Sequence, residues 1–396
     1  MIANSTGAAD GGEGVGSAAP TLLTRPFLFI CVATGFFYLS FYLILPVMPL
    51  YVAGLGGTSS QIGLIIGLFA AMAMLMRPPA GWLIDTRGTR PILLVGMAIF
   101  LLASLGYIAV QSVRPILALR VLHGVGMGLF PTAATVVIAE LAPPTRRGEA
   151  MGWFGIANSL GLILGPVAGP FIAGRAGFSA LFLVAAGSAA VGMACIGAVP
   201  AVDRPARQSR LPRPSDLFSP AAVLPSLILL LLYIPYGMVV AFIPLVATAR
   251  GIENPGLFYA VFATAMLLVR AKAGEISDRR GRAAAIVPAM IATGASSLVL
   301  GVTAGPVGVL AGGALLGVGF GAAQPALMAL TTDRVTPAER GKAMGTFYTA
   351  WELGIASGAA GAGWLLNVTE FSTLFLVGAT IPLGGVFLAL KARPRG

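Results

Sequence analysis

The sequence predicts an all-α polytopic membrane protein, twelve transmembrane helices in two pseudo-symmetric six-helix bundles. Three observations carry that reading. Of 396 residues, 57% are hydrophobic and only 10% charged, whereas a water-facing surface needs about 25% charged residues. Apolar runs of the roughly 20 residues that cross a bilayer recur along the whole chain. The second half also repeats the first in a fixed register. The 53 glycines and 28 prolines would weaken helices in water. In a bilayer, neighbouring helices support the backbone and both residues are tolerated.

The first six runs cover 27–52, 61–84, 91–111, 115–139, 149–173 and 178–200, and form the N-terminal bundle, 27–200. The second six cover 221–249, 256–276, 283–304, 307–332, 342–366 and 371–390, and form the C-terminal bundle, 221–390. Residues 1–26 are rich in Gly, Ala and Ser and carry Asp10 and Glu13, with no basic run before the first apolar segment. That pattern reads as a disordered cytoplasmic tail and not as a secretory signal. Residues 201–220, with Arg204, Arg207, Arg210 and Arg213 among prolines, read as a cytoplasmic linker, and 391–396 as a second tail.

Basic residues in loops mark the cytoplasmic side of a bilayer. Arg87, Arg90, Arg146, Arg147, Arg279, Arg280, Arg282, Arg334, Arg340 and Lys342 fall on one side when the amino terminus is cytoplasmic; only Arg114, Arg175 and Arg250 fall on the other. Both termini are therefore expected in the cytoplasm of a multi-pass protein of the cell membrane, the bacterial inner membrane. The net charge of +11 does not indicate nucleic acid, because the basic residues stand in short clusters between apolar runs and not on one face. Cys31 and Cys195 lie inside apolar segments and support neither a disulfide framework nor a cysteine metal site.

One offset of 193 residues relates the halves. It carries Gly81, Asp85 and Gly88 onto Gly274, Asp278 and Gly281, Arg77 onto Arg270, and Glu140 onto Asp333. The ladder Gly124, Gly126, Gly128 becomes Gly317, Gly319, Gly321, and Pro144, Arg147, Gly148, Ala150, Met151 and Gly152 become Pro337, Arg340, Gly341, Ala343, Met344 and Gly345. Glycine matches alone would be weak in such a chain, but charged residues in the same register are not. The repeat implies two parallel bundles about an axis normal to the membrane.

The segment Gly81-Trp-Leu-Ile-Asp85-Thr-Arg-Gly88-Thr-Arg90 resembles the signature between helices 2 and 3 of the major facilitator superfamily, with Gly274-Glu-Ile-Ser-Asp278-Arg-Arg-Gly281-Arg282 as a second copy. Arg120-Val-Leu-His-Gly124-Val-Gly126 is similar to the family's arginine motif of helix 4. Gly152, Gly161, Gly165-Pro166 and Gly169 in helix 5 look like the signature of its proton-coupled drug and metabolite antiporter branches.

The resemblance implies a cytoplasmic latch at Asp85, joined by Glu140, that opens and closes with a transport cycle. Thr89 stands where the motif has a basic residue, so Arg87 and Arg90 are expected to serve instead. It further implies that the helix 5 glycines pack against the other half. On its own terms, the stripe at 161, 165 and 169 permits close helix approach. Its copy, Gly345, Gly354 and Gly358, is followed by Ala359 in place of proline.

Ionisable groups inside the bilayer are costly and mark function by default. Arg120 lies in helix 4, which lines the cavity of this fold, and the resemblance links it to proton transfer. His123, three residues on, shares its face and is the sole histidine. Glu352 sits near the middle of helix 11 without a sequence neighbour of opposite charge, and is expected to be the principal proton-coupling group. Arg77 and Arg270 are expected to reach toward the cytoplasmic interface in a structural role. Tyr38, Tyr42, Tyr233, Tyr236, Tyr348 and Trp351, with Asn158 and Gln324, are expected to line a mainly apolar cavity suited to an amphipathic organic substrate.

No phosphate loop, zinc spacing or nucleophile–base pair occurs, which argues against an enzyme, a cofactor or direct ATP drive. The expectation is a monomer in the lipid bilayer that expels a small molecule against protons, a drug or secondary metabolite among the candidates, with multidrug resistance as one outcome. Uptake by symport with protons and a non-transporting receptor are the alternatives. A reporter domain joined after Gly396 is expected to be active only when it works in the cytoplasm; activity outside the cell overturns the orientation.

Overall fold

The structure, a computed structural model, describes residues 22–199, 218–336 and 339–391. Most of the expected amino-terminal tail, the linker through 217, Pro337 and the final tail from 392 lie outside the described residues. Among the described residues the regular structure is helical. The helices are α1 (Arg25–Gly54, interrupted at Leu45–Val47), α2 (Ser59–Arg87), α3 (Thr89–Ala109) and α4 (Val113–Leu141). One helical stretch, Arg147–Gly197, comprises α5 (147–176) and α6 (178–197). The second bundle holds α7 (Val223–Ala249), α8 (Gly256–Arg280), α9 (Arg282–Val302), α10 (Pro306–Asp333), α11 (Arg340–Leu365) and α12 (Phe371–Lys391). These follow the apolar runs to within a few residues.

Local chemistry sets the boundaries. Thr58 and Gln61 form a reciprocal capping box at the start of α2. Pro46 lies in the break of α1, where it offers no backbone donor. Gly177 has φ of 87° and turns α5 into α6; a straight helix of that combined length would reach about 75 Å, far beyond one bilayer. Gly88 and Gly281, partners in the sequence repeat, hold φ of 83° and 88° with extended ψ, a region essentially open only to glycine. The α2–α3 and α8–α9 turns are thus one turn made twice.

Packing repeats as well. Gly124 and Gly128 seat α4 on the backbone of α2 at Phe69 and Ala73, and Gly126 seats it on α3 at Gly96. Their copies Gly317 and Gly321 seat α10 on α8 at Phe262 and Met266, and Gly319 seats it on α9 at Ala289. Leu75, Leu102, Leu164, Leu183, Val302 and Leu383 are more than half exposed. Such an apolar outer belt is at home in lipid and not in water.

The halves meet along two seams, α2 with α11 and α5 with α8, which the repeat interchanges. Both are tight on the face opposite the termini. Gly63 and Gly67 lie against the backbone of Ala359 and Ala356, Ser60 Oγ reaches Gly363 O at 3.5 Å, and Asn367 donates to Ser60 Oγ at 2.7 Å. Across the other seam, Asn254 Nδ2 donates to Val167 O at 3.0 Å, and Gly256 packs on the carbonyl of Pro166. Toward the termini, Gly81, Gly148, Gly152, Gly274 and Gly341 would meet nothing within 4 Å if given a Cβ.

A Cβ at Gly256 would sit 1.9 Å from Pro166 O, a backbone atom with little freedom to retreat. Gly256→Val is therefore expected to hold the α5–α8 seam apart. A Val167→Cys reporter in that background should label several-fold faster with a membrane-impermeant thiol reagent; unchanged labelling means that the seam closes elsewhere.

Candidate functional site

A charge pair crosses the α2–α11 seam. Arg77 Nη2 donates to Glu352 Oε1 at 2.6 Å, between residues 275 apart in the chain. Glu352 lies about 18 Å of helix from Arg340 and Arg77 about 15 Å from Arg87, so both stand inside the membrane span. Glu352 is 7% exposed. Against the expectation of a structural reach to the interface, the Arg77 guanidinium neutralises the carboxylate for which the sequence offers no neighbouring partner. An ion pair removed from water stabilises only with good geometry, yet deleting one member strands the other. The contact is single-ended, since the pair uses one nitrogen and one oxygen and not the two-pronged fork open to arginine.

Only one seam carries this pair. The repeat maps Arg77 onto Arg270, which is exposed, and Glu352 onto Ser159, whose hydroxyl bonds its own helix at Gly155 O.

Aromatic side chains from both bundles enclose the pair. The Arg77 guanidinium carbon lies 5.6 Å from the Tyr348 ring centroid, and Trp351 stacks on Tyr233 at 4.5 Å. Tyr236 and Phe262 pack with Phe320. From the other half, Tyr38 stands within electrostatic reach of Arg77, Tyr348 and Glu352, and Tyr42 within reach of Tyr236. Tyr42 donates from its hydroxyl to Asn158 Oδ1 at 3.1 Å. The expected cavity residues of α1, α5, α7 and α11 are thus linked by contacts, while Gln324 of α10 is half-buried.

Arg120 and His123 form a different cluster. Both are fully buried in the amino-terminal bundle. Arg120 Nε donates to Ile65 O at 3.1 Å, its guanidinium lies over the Phe69 ring at 4.6 Å, and Nη1 approaches His123 Nδ1 at 3.4 Å. The Tyr107 hydroxyl meets the same imidazole nitrogen at 3.2 Å. Because arginine can only donate, that nitrogen serves as an acceptor and the imidazole proton belongs on Nε2. The structure therefore separates Arg120 from Glu352, which takes Arg77 as the second charge of the site.

The latch residues are spread over the termini-bearing face. Asp85 is half-buried in the last turn of α2, Glu140 is half-buried near the end of α4, and Arg87 is exposed. Arg90 donates to Gly197 O at 3.0 Å, within its own half. In the second copy, Arg282 joins Asp278 and Asp333, the latter at 2.8 Å. The repeat places Thr89 at the position of Arg282, so the arginine of this cluster does not recur at that position.

The helix 5 stripe also needs correction. Gly161, Gly165 and Gly169 pack on α1, against the backbone of Tyr38, Tyr42 and Leu43, and not on the other half. Of the motif residues it is Pro166 that meets the other half, its carbonyl lying against Gly256. Gly354 and Gly358 repeat this arrangement by packing α11 on Tyr233 and Ile234 of α7. Gly152 faces open space. Small residues allow close approach to whichever backbone lies opposite, and a linear pattern does not say which one that is.

The sequence profile of the Major Facilitator Superfamily matches residues 30–310 and 226–396. The chain belongs to that family. The quinolone resistance protein NorA of Staphylococcus aureus is 29% identical over 136 residues, a match spanning 34% of this chain and 35% of NorA. The MFS-type transporter MJ1560 of Methanocaldococcus jannaschii is 27% identical over 352 residues, 84% of this chain and 91% of the relative. Among solved structures, the human organic anion transporter MFSD10 aligns with a TM-score of 0.70 at 19% identity, covering 94% of this chain and 100% of that one. The nucleoside transporter NupG aligns at 0.76 with 13% identity over 93% of this chain and 100% of that one. The likeness to solved structures shows the fold, and the profile match shows the family.

Sequence reasoning missed Arg77 as a site residue, along with Phe262 and Phe320. For Arg77 the signal was present, an intramembrane charge with its cost unexplained; its partner became visible only in three dimensions. Removing one member of the pair is expected to destabilise the protein by about 1–3 kcal/mol, tempered by the partial exposure of Arg77. Thermal unfolding in detergent should show a lower Tm for Arg77→Gln, with part of the loss recovered in Arg77→Gln/Glu352→Gln. A strictly additive double variant would mean that the pair contributes nothing.

Proposed function

We propose that the protein is a secondary active transporter that expels a small amphipathic organic compound in exchange for protons, by alternating access with both termini in the cytoplasm. The observation that carries this reading is the buried Glu352 carboxylate, paired across the two halves and walled by aromatic rings. The pair spans a surface that must rearrange when access alternates. Whenever Arg77 withdraws, an ionised Glu352 loses its counter-charge in a low-dielectric site. Taking up a proton or a positively charged group relieves that cost. The two options compete for one carboxylate, and competition between proton and cargo is the chemical basis of exchange.

In this reading Tyr38, Tyr42, Tyr233, Tyr236, Tyr348 and Trp351 supply flat apolar contact, and Asn158 and Gln324 add polar specificity. Asp85, Glu140, Asp278 and their neighbours hold the cytoplasmic ends in register. Arg120 and His123 brace α4 against α2 within the first bundle. The partial match to NorA supports efflux of drug-like compounds, and the cell membrane is the setting that the positive loops favour.

The test is flux of an aromatic substrate panel in sealed proteoliposomes under an imposed proton gradient. Wild-type protein should drive at least one compound against its own gradient in the direction opposite to protons. Glu352→Gln should retain binding while its gradient-driven flux falls at least tenfold. Undiminished gradient-driven flux in that variant removes Glu352 from coupling, and movement of cargo along with protons identifies uptake.

A further inference from the structure

The outer end of the α2–α11 seam, on the face opposite the termini, holds a cavity of about 450 Å³. Ser59 contributes from the first bundle, and the other lining residues belong to the second, among them Arg250 just after α7 and Glu370 just before α12. About 20 Å of helix separates Glu352 from Leu366 in its wall, so the cavity is distinct from the seam charge pair. Arg250 Nη1 is covered from solvent and has no hydrogen-bond partner among the described residues, and Arg250 and Glu370 form no ion pair with one another. Burial without a counter-charge draws the Arg250 guanidinium below its ordinary pKa.

A covered guanidinium donor is best satisfied by an oxyanion, because a charge-assisted bond is stronger than a neutral one. The helix α12 begins at the same wall, and the first-turn amides of a helix have no carbonyl partner within it, which adds to the pull on an anion. Glu370 is exposed in that wall and favours a cation beside the anion. The walls thus complement a group that carries both charges. The surroundings set the depth of the cavity. Trp364 and Val368, two residues either side of Leu366, are 69% and 74% exposed. Apolar side chains so exposed at a helix end belong against lipid, and tryptophan is enriched where acyl chains meet headgroups. The cavity therefore lies at headgroup level.

We propose that this cavity binds the head of a zwitterionic phospholipid, a phosphodiester bearing a primary ammonium, with its phosphate on Arg250 and its ammonium on Glu370. A primary ammonium keeps three N–H donors for the carboxylate, whereas a quaternary one has none and a glycerol head carries no positive charge. The bound head meets Ser59 on one half and Arg250 and Glu370 on the other, so it braces the outer end of the seam beside the Ser60–Asn367 bond. At the 193-residue offset the positions of Arg250 and Glu370 are Gly57 and Gly177, so these charges are not repeated there.

The test offers the purified full chain an equimolar mixture of phosphatidylethanolamine, phosphatidylglycerol and phosphatidylcholine with identical acyl chains, and counts retained lipid by native mass spectrometry. Wild-type protein should retain the ethanolamine lipid over each of the others by roughly threefold to fivefold, the worth of one partly exposed ionic contact. Glu370→Gln should abolish the preference over phosphatidylglycerol, and Arg250→Gln should lower retention of the ethanolamine lipid by a similar factor. Arg250→Lys, which keeps the charge, should preserve the order, and Arg114→Gln, which removes a different arginine expected on the outer side, should change nothing. Phosphatidylethanolamine should also raise the Tm of wild-type protein and of Arg114→Gln but not of Arg250→Gln, whose own cooperative unfolding without lipid shows that it is folded. Glycerophosphoethanolamine, the same head without acyl chains, should not displace the lipid at matched concentration. Equal retention of the three lipids, retention of none, or an ethanolamine preference that survives both glutamine variants overturns the proposal. Displacement by the soluble head overturns the lipid as occupant and assigns the cavity to a solute.

Discussion

A charge held in hydrocarbon must find an opposite charge or compensating dipoles there, and the architecture of this protein turns on how that demand is met at Glu352. The matching cation, Arg77, belongs to the other half of the molecule, so the pair exists only where α2 and α11 touch. That contact depends on small residues. Gly63, Gly67, Ala356, Ala359 and Gly363 bring two helix backbones together on the face away from the termini, and the ion pair forms further along the same seam. Close packing and charge neutralisation are coupled, because parting the helices exposes both charges at once.

Duplication supplied most of the structure, and departures from duplication supply its chemistry. Turn glycines, the α4 and α10 ladders and the α1–α5 and α7–α11 contacts are made twice with the same backbone geometry. The charges are not. Arg77 and Glu352 pair at one seam, whereas Arg270 is exposed and Ser159 bonds within its own helix at the other. Arg282 organises two carboxylates where the first half has Thr89. The scaffold is symmetric and the charge pattern is not, so the two seams differ in what joins them.

Arg120 shows that a buried cation can be held without a carboxylate. Its guanidinium is held by a backbone carbonyl, an imidazole nitrogen and an aromatic face, all within one bundle. Such acceptors and ring faces spread its charge over dipoles instead of a carboxylate. The resulting cluster ties α4 to α2, the helix that also carries Arg77.

The sequence by itself determined the helical fold class, the apolar runs that the helices follow, the repeat and the superfamily resemblance, because hydropathy runs and register are one-dimensional properties. The tail, linker and final tail read from composition fall largely outside the described residues. It also marked Glu352 as a charge requiring explanation. Only the tertiary structure decided which cation answers it, and that Arg120 does not. It likewise turned the α5 glycines toward α1. The reason is common to all three: a residue's cost in the bilayer is written in its own chemistry, but its partner is chosen by which backbone lies within reach, here 275 residues away.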